Sequence, residues 1–203
     1  MARRRSYPDY GPRKGGPPLT QVHHTLELPP EATLAVVSDT HSTPHPGVRA
    51  QLEALAPQAI FHAGDVGDLS VLAELASIAP LYAVRGNIDA RGHGDLPDVV
   101  TMEIVQGARR LKLLMTHIAV RGPRLLPMAR QLAAEHEADL LICGHSHVPF
   151  LTREGRVVVF NPGSIGPRRF ALPITYGVMR LSATGLTLNH VNCETGDRWA
   201  PAA

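Results

Sequence analysis

The sequence predicts an α/β fold in which strands alternate with helices and then continue without them. Three observations lead to this prediction. Short apolar runs recur at regular intervals from about residue 33. Helical patterns separate several of the early runs, which is typical of βα units and a parallel sheet. The final third carries apolar runs with no helix between them, which predicts antiparallel additions or a second sheet.

Nine apolar runs, each bounded by Gly, Asp, Pro or other turn residues, predict the strands. They are 34–37, 59–61, 81–84, 99–105, 111–115, 140–143, 157–160, 175–181 and 186–191. Apolar residues at helical spacing predict three helices, over residues 48–56, 69–78 and 123–137. The strand–helix alternation extends to about residue 143, and the last three strands follow it.

The charge of the chain divides it into a basic N-terminal extension and a nearly neutral body. Residues 1–30 are rich in Pro and Gly and carry a net charge of +3, against −1 for the rest of the 203 residues. We therefore predict a flexible extension over 1–30 and a single domain over 31–203. Such an extension is typical either of a solvated leader or of an arm that touches nucleic acid, and both readings stay open.

The composition points to a cytoplasmic protein without a membrane segment. Hydrophobic residues make up 44% and charged residues 19% of the chain. No run approaches the roughly 18 apolar residues of a membrane helix, and no apolar stretch of a secretory signal follows the basic start. The two cysteines, Cys143 and Cys193, have no metal-ligand or redox spacing.

Five of the predicted strands are each followed by a polar motif that can bind a metal. The motifs are SDTH (38–41), GD (64–65), GNID (86–89), TH (116–117) and GHSH (144–147). Ligands bind at the carboxyl ends of the strands in open α/β sheets, so we expect the five motifs to meet at that edge of one sheet. The candidate ligands are Asp39, His41, Asp65, Asn87, His117, His145 and His147.

The donor types favour two transition-metal ions. Two carboxylates, four imidazoles and one amide oxygen suit Mn, Fe, Zn or Ni better than Mg or Ca. Seven donors are too many for one tetrahedral ion and fit two ions that share a carboxylate. Two divalent ions with two carboxylates keep a net positive charge, which attracts phosphate, and bound water becomes a nucleophile as its pKa falls from 15.7 toward about 7.

The order of these motifs, followed by NPGSIGPRR (161–169), resembles the calcineurin-like metallophosphoesterase superfamily over about residues 33–192. More narrowly, it is similar to the small YfcE-type phosphodiesterases. The resemblance implies a two-sheet β-sandwich flanked by helices, in four αββα layers. It also implies hydrolysis of small or nucleotide-like phosphodiesters by attack of a metal-bridging hydroxide on phosphorus, with manganese as the expected metal.

The resemblance also implies roles for single residues. Asp39, His41, Asp65 and His147 would hold one ion, and Asp65, Asn87, His117 and His145 the other. Asp65 and Asn87 would act catalytically through the metal-held hydroxide and the phosphate. Many relatives carry a proton-donating histidine where this chain has Ile88, which disfavours phosphomonoesters and phosphoproteins; His93 is the candidate substitute.

Several residues near the motifs have competing interpretations. Asn87 and Arg168 are candidate substrate-binding residues, and Arg169 shares the chemistry of Arg168 because a guanidinium binds phosphate in a bidentate manner. Asp68 is interpreted as a helix cap and Asp89 as a brace for the turn at Asn87. Two other functions stay open: a non-catalytic protein-binding scaffold on the same fold, as in the small retromer subunit, or a nuclease assisted by the basic tail. Oligomerisation also stays open.

Overall fold

The computed structural model describes residues 18–201 and, at His93, the backbone only. The strands of this part are β1 (Gln21–Glu27), β2 (Ala32–Val37), β3 (Ala59–His62), β4 (Leu81–Ala83), β5 (Val99–Gln106), β6 (Arg109–Thr116), β7 (Val120–Arg121), β8 (Arg124–Leu125), β9 (Leu140–Ile142), β10 (Phe150–Glu154), β11 (Val157–Asn161), β12 (Thr175–Ser182), β13 (Gly185–Asn192) and β14 (Arg198–Trp199). Its α-helices are α1 (Val48–Leu55), α2 (Ser70–Ala76) and α3 (Pro127–Glu135). All nine predicted strands and all three predicted helices are present.

Two six-stranded sheets contain most of the strands. Sheet I has the order β14-β13-β12-β2-β3-β4, and sheet II has the order β1-β5-β6-β9-β11-β10. In sheet I, β2, β3 and β4 are parallel, and β12 to β14 are antiparallel additions, as the sequence predicts. In sheet II, β9 is parallel to both β6 and β11.

Alternate residues of the strands build three apolar layers. Leu34 and Val36 of β2 face the layer between the two sheets, where they join Phe61, Met115 and Phe160. The opposite face of β2 packs, through Ala35 and Val37, against α1 and α2. Sheet II packs its outer face against α3 in the same way. The layer order is therefore α1/α2, sheet I, sheet II, α3, which confirms the αββα sandwich.

The predicted boundary of the N-terminal extension is wrong. Residues 21–27 form β1, which pairs in parallel with β5 from Gln21 opposite Val99 to Glu27 opposite Val105. His24 contacts Tyr82 edge to face with ring centroids 4.9 Å apart, and Leu26 packs against the core between the sheets. The apolar pattern of the sequence did not predict this strand, because β1 lies at a sheet edge, where only one face carries apolar side chains. The basic residues of the extension, from Arg3 to Lys14, lie outside the described residues.

Helix α3 begins four residues later than the sequence predicts. Residues 120–125 instead form the β7–β8 hairpin, with Gly122 at a φ of 57° in its turn. Pro127 then occupies the start of the helix, where the missing proline N–H has no helical partner to lose. In the described residues, no helix is long and apolar enough to span a membrane.

Candidate metal centre

The predicted donors lie at the carboxyl ends of strands, but these strands belong to two sheets. The loops after β2, β3 and β4 of sheet I carry Asp39, His41, Asp65 and Asn87, and the loops after β6 and β9 of sheet II carry the remaining three histidines. The expectation of a single sheet edge is therefore wrong. The donors still meet because the two packed sheets direct these five strand ends to the same end of the sandwich.

The first donor cluster consists of Asp39, His41 and His147. The Nε2 atoms of His41 and His147 lie 3.2 Å apart, and Asp39 Oδ1 lies 3.2 Å from His147 Nε2. Donors about 2.1 Å from a shared ion lie about 3 Å apart when they are neighbours in its shell. The spacing therefore fits a common transition-metal ion.

The second donor cluster consists of Asp65, His117 and His145, joined by Asn87. His117 Nε2 lies 3.1 Å from Asp65 Oδ1 and 3.2 Å from Asn87 Oδ1. Asn87 Oδ1 in turn lies 2.8 Å from His145 Nδ1. These four side chains converge as the sequence predicts for a second ion.

Asp65 lies between the two clusters. Its Oδ1 faces His117, and its Oδ2 lies 3.7 Å from His41 Nε2 in the first cluster. The backbone N–H of Ile88 donates to Oδ1 and holds the carboxylate in this orientation. One carboxylate oxygen therefore faces each cluster, which is the arrangement that a carboxylate shared by two ions requires.

Two candidate metal-binding atoms of the centre lack what a purely structural network would give them. One lacks a hydrogen-bond partner, and the other lacks a proton when its ring is neutral. Asp39 Oδ1 is buried and makes no aligned hydrogen bond to any described residue, while Oδ2 accepts from the Ser38 hydroxyl and the His145 backbone N–H. His117 Nδ1 donates to the Ala63 carbonyl at 2.7 Å, so a neutral His117 presents a bare Nε2 to two oxygens. One cation in each cluster would satisfy these atoms, so the residues fit metal ions.

The electrostatics of the centre favour positive charge. Burial alone would raise the pKa of the Asp65 carboxyl, but His117 outweighs it and holds that pKa at about 2. Burial likewise opposes ionisation of Asp39, yet His147 and His117 keep its pKa below the usual value. Burial lowers the pKa of His117, but the Asp65 and Asp39 carboxylates overcome this and raise it. The two carboxylates therefore favour positive charge at His117 Nε2, which either a proton or a metal ion can supply.

Most of the predicted ligands adopt a strained backbone conformation. Asp39, His41, Asp65, His145 and His147 have φ between 46° and 68°, a left-handed region that is unfavourable for residues other than glycine. Each such residue costs on the order of 1–3 kcal/mol. Concentration of this strain on five of the seven candidate ligands is typical of a functional site.

The sequence matches the model of the calcineurin-like phosphoesterase superfamily domain over residues 33–184. The chain belongs to this superfamily. Metallophosphoesterases use divalent metal ions, and the two donor clusters described above provide candidate sites for them. The resemblance drawn from the sequence motifs is thereby confirmed.

Curated relatives of this chain include archaeal and bacterial proteins. A probable metallophosphoesterase of Methanothermobacter thermautotrophicus is 32% identical over 166 residues, which cover 80% of this chain and 92% of that protein. Phosphodiesterase YfcE of Escherichia coli is 32% identical over 102 residues, which cover 49% of this chain and 52% of YfcE.

Solved structures share the fold. The structure of YfcE from Escherichia coli matches with a TM-score of 0.57 and 24% identity, over 83% of this chain and 97% of that chain. Vacuolar Protein Sorting 29 from Cryptosporidium parvum matches with a TM-score of 0.67 and 19% identity, over 83% and 95%. At these identities the likeness shows the fold alone.

Close backbone contacts hold the loops of the centre together. A Cβ on Gly86 would lie 2.1 Å from Asp65 Oδ1, and a Cβ on Gly144 would lie 2.7 Å from Asp39 Oδ2. Neither position accepts a larger residue without moving a candidate ligand. Gly86 and Gly144 therefore permit a close approach of the backbone directly beside the two carboxylates.

Asp89 braces the loops, as the sequence predicts. Its buried carboxylate accepts from the backbone N–H groups of Gly86 at 2.7 Å, Gly67 at 3.0 Å and Val66 at 3.1 Å. It thus ties the Asn87 loop to the Asp65 loop. Asp68 fits its predicted role too, since its Oδ1 accepts from the N–H of Ser70 at the start of α2.

His62 is a supporting residue that sequence patterns did not single out. Burial lowers its pKa to about 4, so the ring is neutral. Nδ1 accepts from the Gly64 N–H, and Nε2 therefore donates to the Thr40 hydroxyl, which donates to the Val66 carbonyl. This chain of bonds fixes the loop of Asp39 relative to the loop of Asp65. The position of His62, two residues before Gly64 and at the end of a buried strand, was the sequence feature that could have indicated this supporting role.

The candidate substrate-binding and proton-donating residues are only partly placed at the centre. Arg168 points away, since its guanidinium pairs with Glu194 and donates to the Leu172 carbonyl at 2.8 Å. Arg169 lies at the centre instead, with Nη2 3.1 Å from His41 Nε2. Arg168 as a substrate ligand stays a prediction, since in the structure its guanidinium forms an exposed ion pair with Glu194. The His93 side chain lies outside the described residues.

Proposed function

We propose that the chain is a dinuclear metal-dependent phosphodiesterase that acts on small or nucleotide-like phosphodiesters. The observation that carries the proposal is the position of Asp65, whose two oxygens face separate donor clusters. A carboxylate with only a structural role would not require an imidazole cluster on each of its two oxygens. Membership of the metallophosphoesterase superfamily and the kinship with YfcE support the reaction class.

In this proposal, each cluster with Asp65 holds one divalent ion. The ligands would be Asp39, His41, Asp65 and His147 for one ion, and Asp65, Asn87, His117 and His145 for the other. Bound ions of this kind lower the pKa of water from 15.7 to about 7 and stabilise charge on phosphoryl oxygens. Manganese is the proposed metal, since four imidazoles beside carboxylate oxygens suit it, with iron, zinc and nickel as alternatives.

The residues of the chain determine which esters suit the site. Two divalent ions outweigh the charges of Asp39 and Asp65, so the loaded centre attracts an anionic phosphate. Ile88 donates its backbone N–H to Asp65, but its side chain has no proton to give a leaving group. Diesters with a weakly basic leaving group therefore suit the site better than phosphomonoesters. His93 stays a candidate proton donor.

The test is whether added metal restores activity to the chelator-treated protein. We expect chelator-treated protein reconstituted with Mn²⁺ to hydrolyse bis(p-nitrophenyl) phosphate and to bind two ions per chain by elemental analysis. Asp65→Asn should abolish turnover and lower the metal content, whereas Asp197→Asn, on the exposed C-terminal hairpin, should do neither. Failure of the reconstituted wild-type protein to turn over any of a panel of diesters would overturn the proposal.

A protein-binding scaffold is the second candidate. Solved structures named Vacuolar Protein Sorting 29 share the fold, and Ile88 presents an exposed apolar side chain, 47% accessible, beside the centre. Metal bound at two ions per chain without turnover of any diester would favour the scaffold.

The nuclease alternative depends on residues outside the described part of the chain. If the basic tail guides cleavage, removal of residues 1–17 should weaken cleavage of single-stranded DNA and reduce its dependence on salt. Equal cleavage by both forms at every salt concentration would exclude a role for the tail.

A further inference from the structure

The loop after β11 carries two adjacent arginines that point to different partners. Arg168 is held away from the centre by Glu194 and the Leu172 carbonyl. Arg169 reaches the first donor cluster, where its Nη2 lies 3.1 Å from His41 Nε2. A guanidinium can only donate, so His41 Nε2 accepts.

The atom that Arg169 contacts is the same atom that would ligate a metal. His41 Nε2 has one lone pair, and it belongs to the cluster of Asp39, His41 and His147. When a cation takes that lone pair, Arg169 loses this partner but stays attached to the same loop. The loaded centre then has a planar, permanently charged donor at its edge, whose geometry matches two oxygens of a phosphate.

The loop that carries Arg169 is fixed to the centre. The Ser164 hydroxyl donates to the Asp39 carbonyl at 2.9 Å, and the Ile165 N–H donates to the Ser38 carbonyl at 3.1 Å. A Cβ on Gly166 would lie 2.3 Å from the Asp39 carbonyl oxygen. The start of the loop is therefore fixed to the Asp39 loop, and Arg169 follows the fixed Gly166 by three residues.

Exposed apolar side chains directly follow residues of the same centre in the sequence. Among the described residues, five large hydrophobic side chains are exposed: Val22, Ile88, Val148, Leu151 and Phe170. Three of these each follow directly on a residue of the centre, since Ile88 follows Asn87, Val148 follows His147 and Phe170 follows Arg169. Their Cα atoms are thus within one residue step, about 3.8 Å, of the Cα atoms of those residues.

Phe170 is the most unusual member of this apolar rim, which we define as Ile88, Val148 and Phe170. Its side chain is 92% exposed and its φ is 53°, so it has an unfavourable backbone conformation and little packing to offset it. An aromatic ring kept in that state has no stabilising role in the fold. It can stack on a planar group of a ligand.

We propose that Arg169 binds a phosphoryl oxygen of the substrate and that the apolar rim receives an aromatic ester group, so that the site selects aryl or nucleobase-bearing phosphodiesters. The proposal rests on the proposed function, because it names the substrate class of the same centre. Because each rim residue directly follows a residue of the centre, a group attached to the bound phosphate is favoured over an independent partner.

The direct test measures binding rather than turnover. Isothermal titration calorimetry of Mn²⁺-loaded protein compares phenylphosphonate with methylphosphonate, which differ only in the aromatic group. We expect Arg169→Ala to raise the Kd of both ligands at least about tenfold, because a charge-assisted contact to phosphate is lost. Phe170→Gly should raise the Kd of phenylphosphonate about threefold to tenfold and leave that of methylphosphonate unchanged.

Matched variants control for loss of an exposed arginine or an exposed apolar side chain. Arg153→Ala and Leu151→Ala, both on the edge strand β10, should leave both Kd values unchanged. Phe170→Gly also removes the strain at a positive φ, so weaker binding by this variant does not reflect a damaged fold.

The outcomes separate this inference from the proposed function. If wild-type protein hydrolyses diesters but Arg169→Ala binds both phosphonates as well as wild type does, the inference is overturned and the function stands. If Arg169 and Phe170 govern phosphonate binding but no diester is turned over, the function fails and the binding site stands. A rim that serves a protein partner would leave both Kd values unchanged in Phe170→Gly, which would overturn the aromatic part.

Discussion

At the scale of single residues, most candidate ligands of the centre have a strained backbone conformation. His145 has a φ of 68°, whereas Asn87, in the same cluster, is not in the left-handed region. We expect metal-free His145→Gly to be more stable than His145→Ala by about 1 kcal/mol, because glycine adopts positive φ without a Cβ penalty. Urea unfolding of both variants measures the difference.

The matched pair at Asn87 should behave in the opposite way. Asn87→Gly should be no more stable than Asn87→Ala, since glycine there gains nothing from φ and loses more conformational entropy on folding. An equal gain from glycine at both positions would mean that the strain at His145 is not real.

Asp89 and Asn87 are neighbours with different tasks. Asp89 accepts three backbone N–H groups, so Asp89→Asn should lower the free energy of unfolding of the metal-free protein by about 2 kcal/mol. Asn87→Ala should change that stability less but reduce diesterase activity more, because Asn87 Oδ1 lies between His117 and His145. Chemical denaturation and kcat/KM measure the two effects, and the reverse order would reassign the ligand of this loop.

The choice between Arg168 and Arg169 marks the limit of sequence reasoning at this scale. Both are arginines in one loop, and nothing in the motif distinguishes them. Glu194, which forms an ion pair with Arg168, lies 26 residues further along the chain on another loop. Only the folded chain brings that acid into contact, so the structure alone assigns Arg169 to the centre.

At the scale of elements, periodicity revealed the strands rich in apolar residues, including the edge strand β4, and missed the other edge strands. All nine predicted strands are present because both of their faces, or most of their length, are apolar. The missed strands β1, β7, β8, β10 and β14 lie at sheet edges or in a two-stranded hairpin, where solvent tolerates polar residues. Periodicity also does not tell one sheet from another, which is why the donors were assigned to a single sheet.

The N-terminal strand gives a prediction about truncation. Removal of residues 1–30 takes away β1 with Leu26 and Leu28, both of which pack on the core between the sheets. Relative to removal of residues 1–17, we expect this deletion to lower the free energy of unfolding by about 3 kcal/mol, the order of one to two buried leucines. Differential scanning calorimetry of the two truncated proteins makes the comparison. Equal melting temperatures would mean that β1 contributes no stability.

At the scale of the whole molecule, the fold and the centre are separate sources of stability. The three apolar layers lie between and outside the sheets and contain none of the seven candidate ligands. We therefore expect chelator-treated protein to keep its far-UV circular dichroism spectrum and to melt at a lower temperature than the Mn²⁺-loaded protein, because a ligand that binds only the native state stabilises it. Loss of secondary structure on chelation at 25 °C would contradict this separation.

The sandwich has the further effect of bringing loops from two sheets to one place. Asp65 comes from sheet I and His117 from sheet II, and their side chains lie 3.1 Å apart. The position of the five motifs at strand ends was predictable from sequence. The meeting of the two sheets was not, because it follows from the packing of the sheets against each other and not from the pattern of any one strand.

Electron paramagnetic resonance of the protein loaded with two equivalents of Mn²⁺ tests most directly whether Asp65 joins two ions. If the carboxylate is shared, the two ions are held close together and should give the broadened spectrum of an exchange-coupled pair, and Asp65→Asn should remove it. The six-line spectrum of isolated Mn²⁺ in the wild-type protein, or a coupled spectrum that survives in Asp65→Asn, would contradict the account.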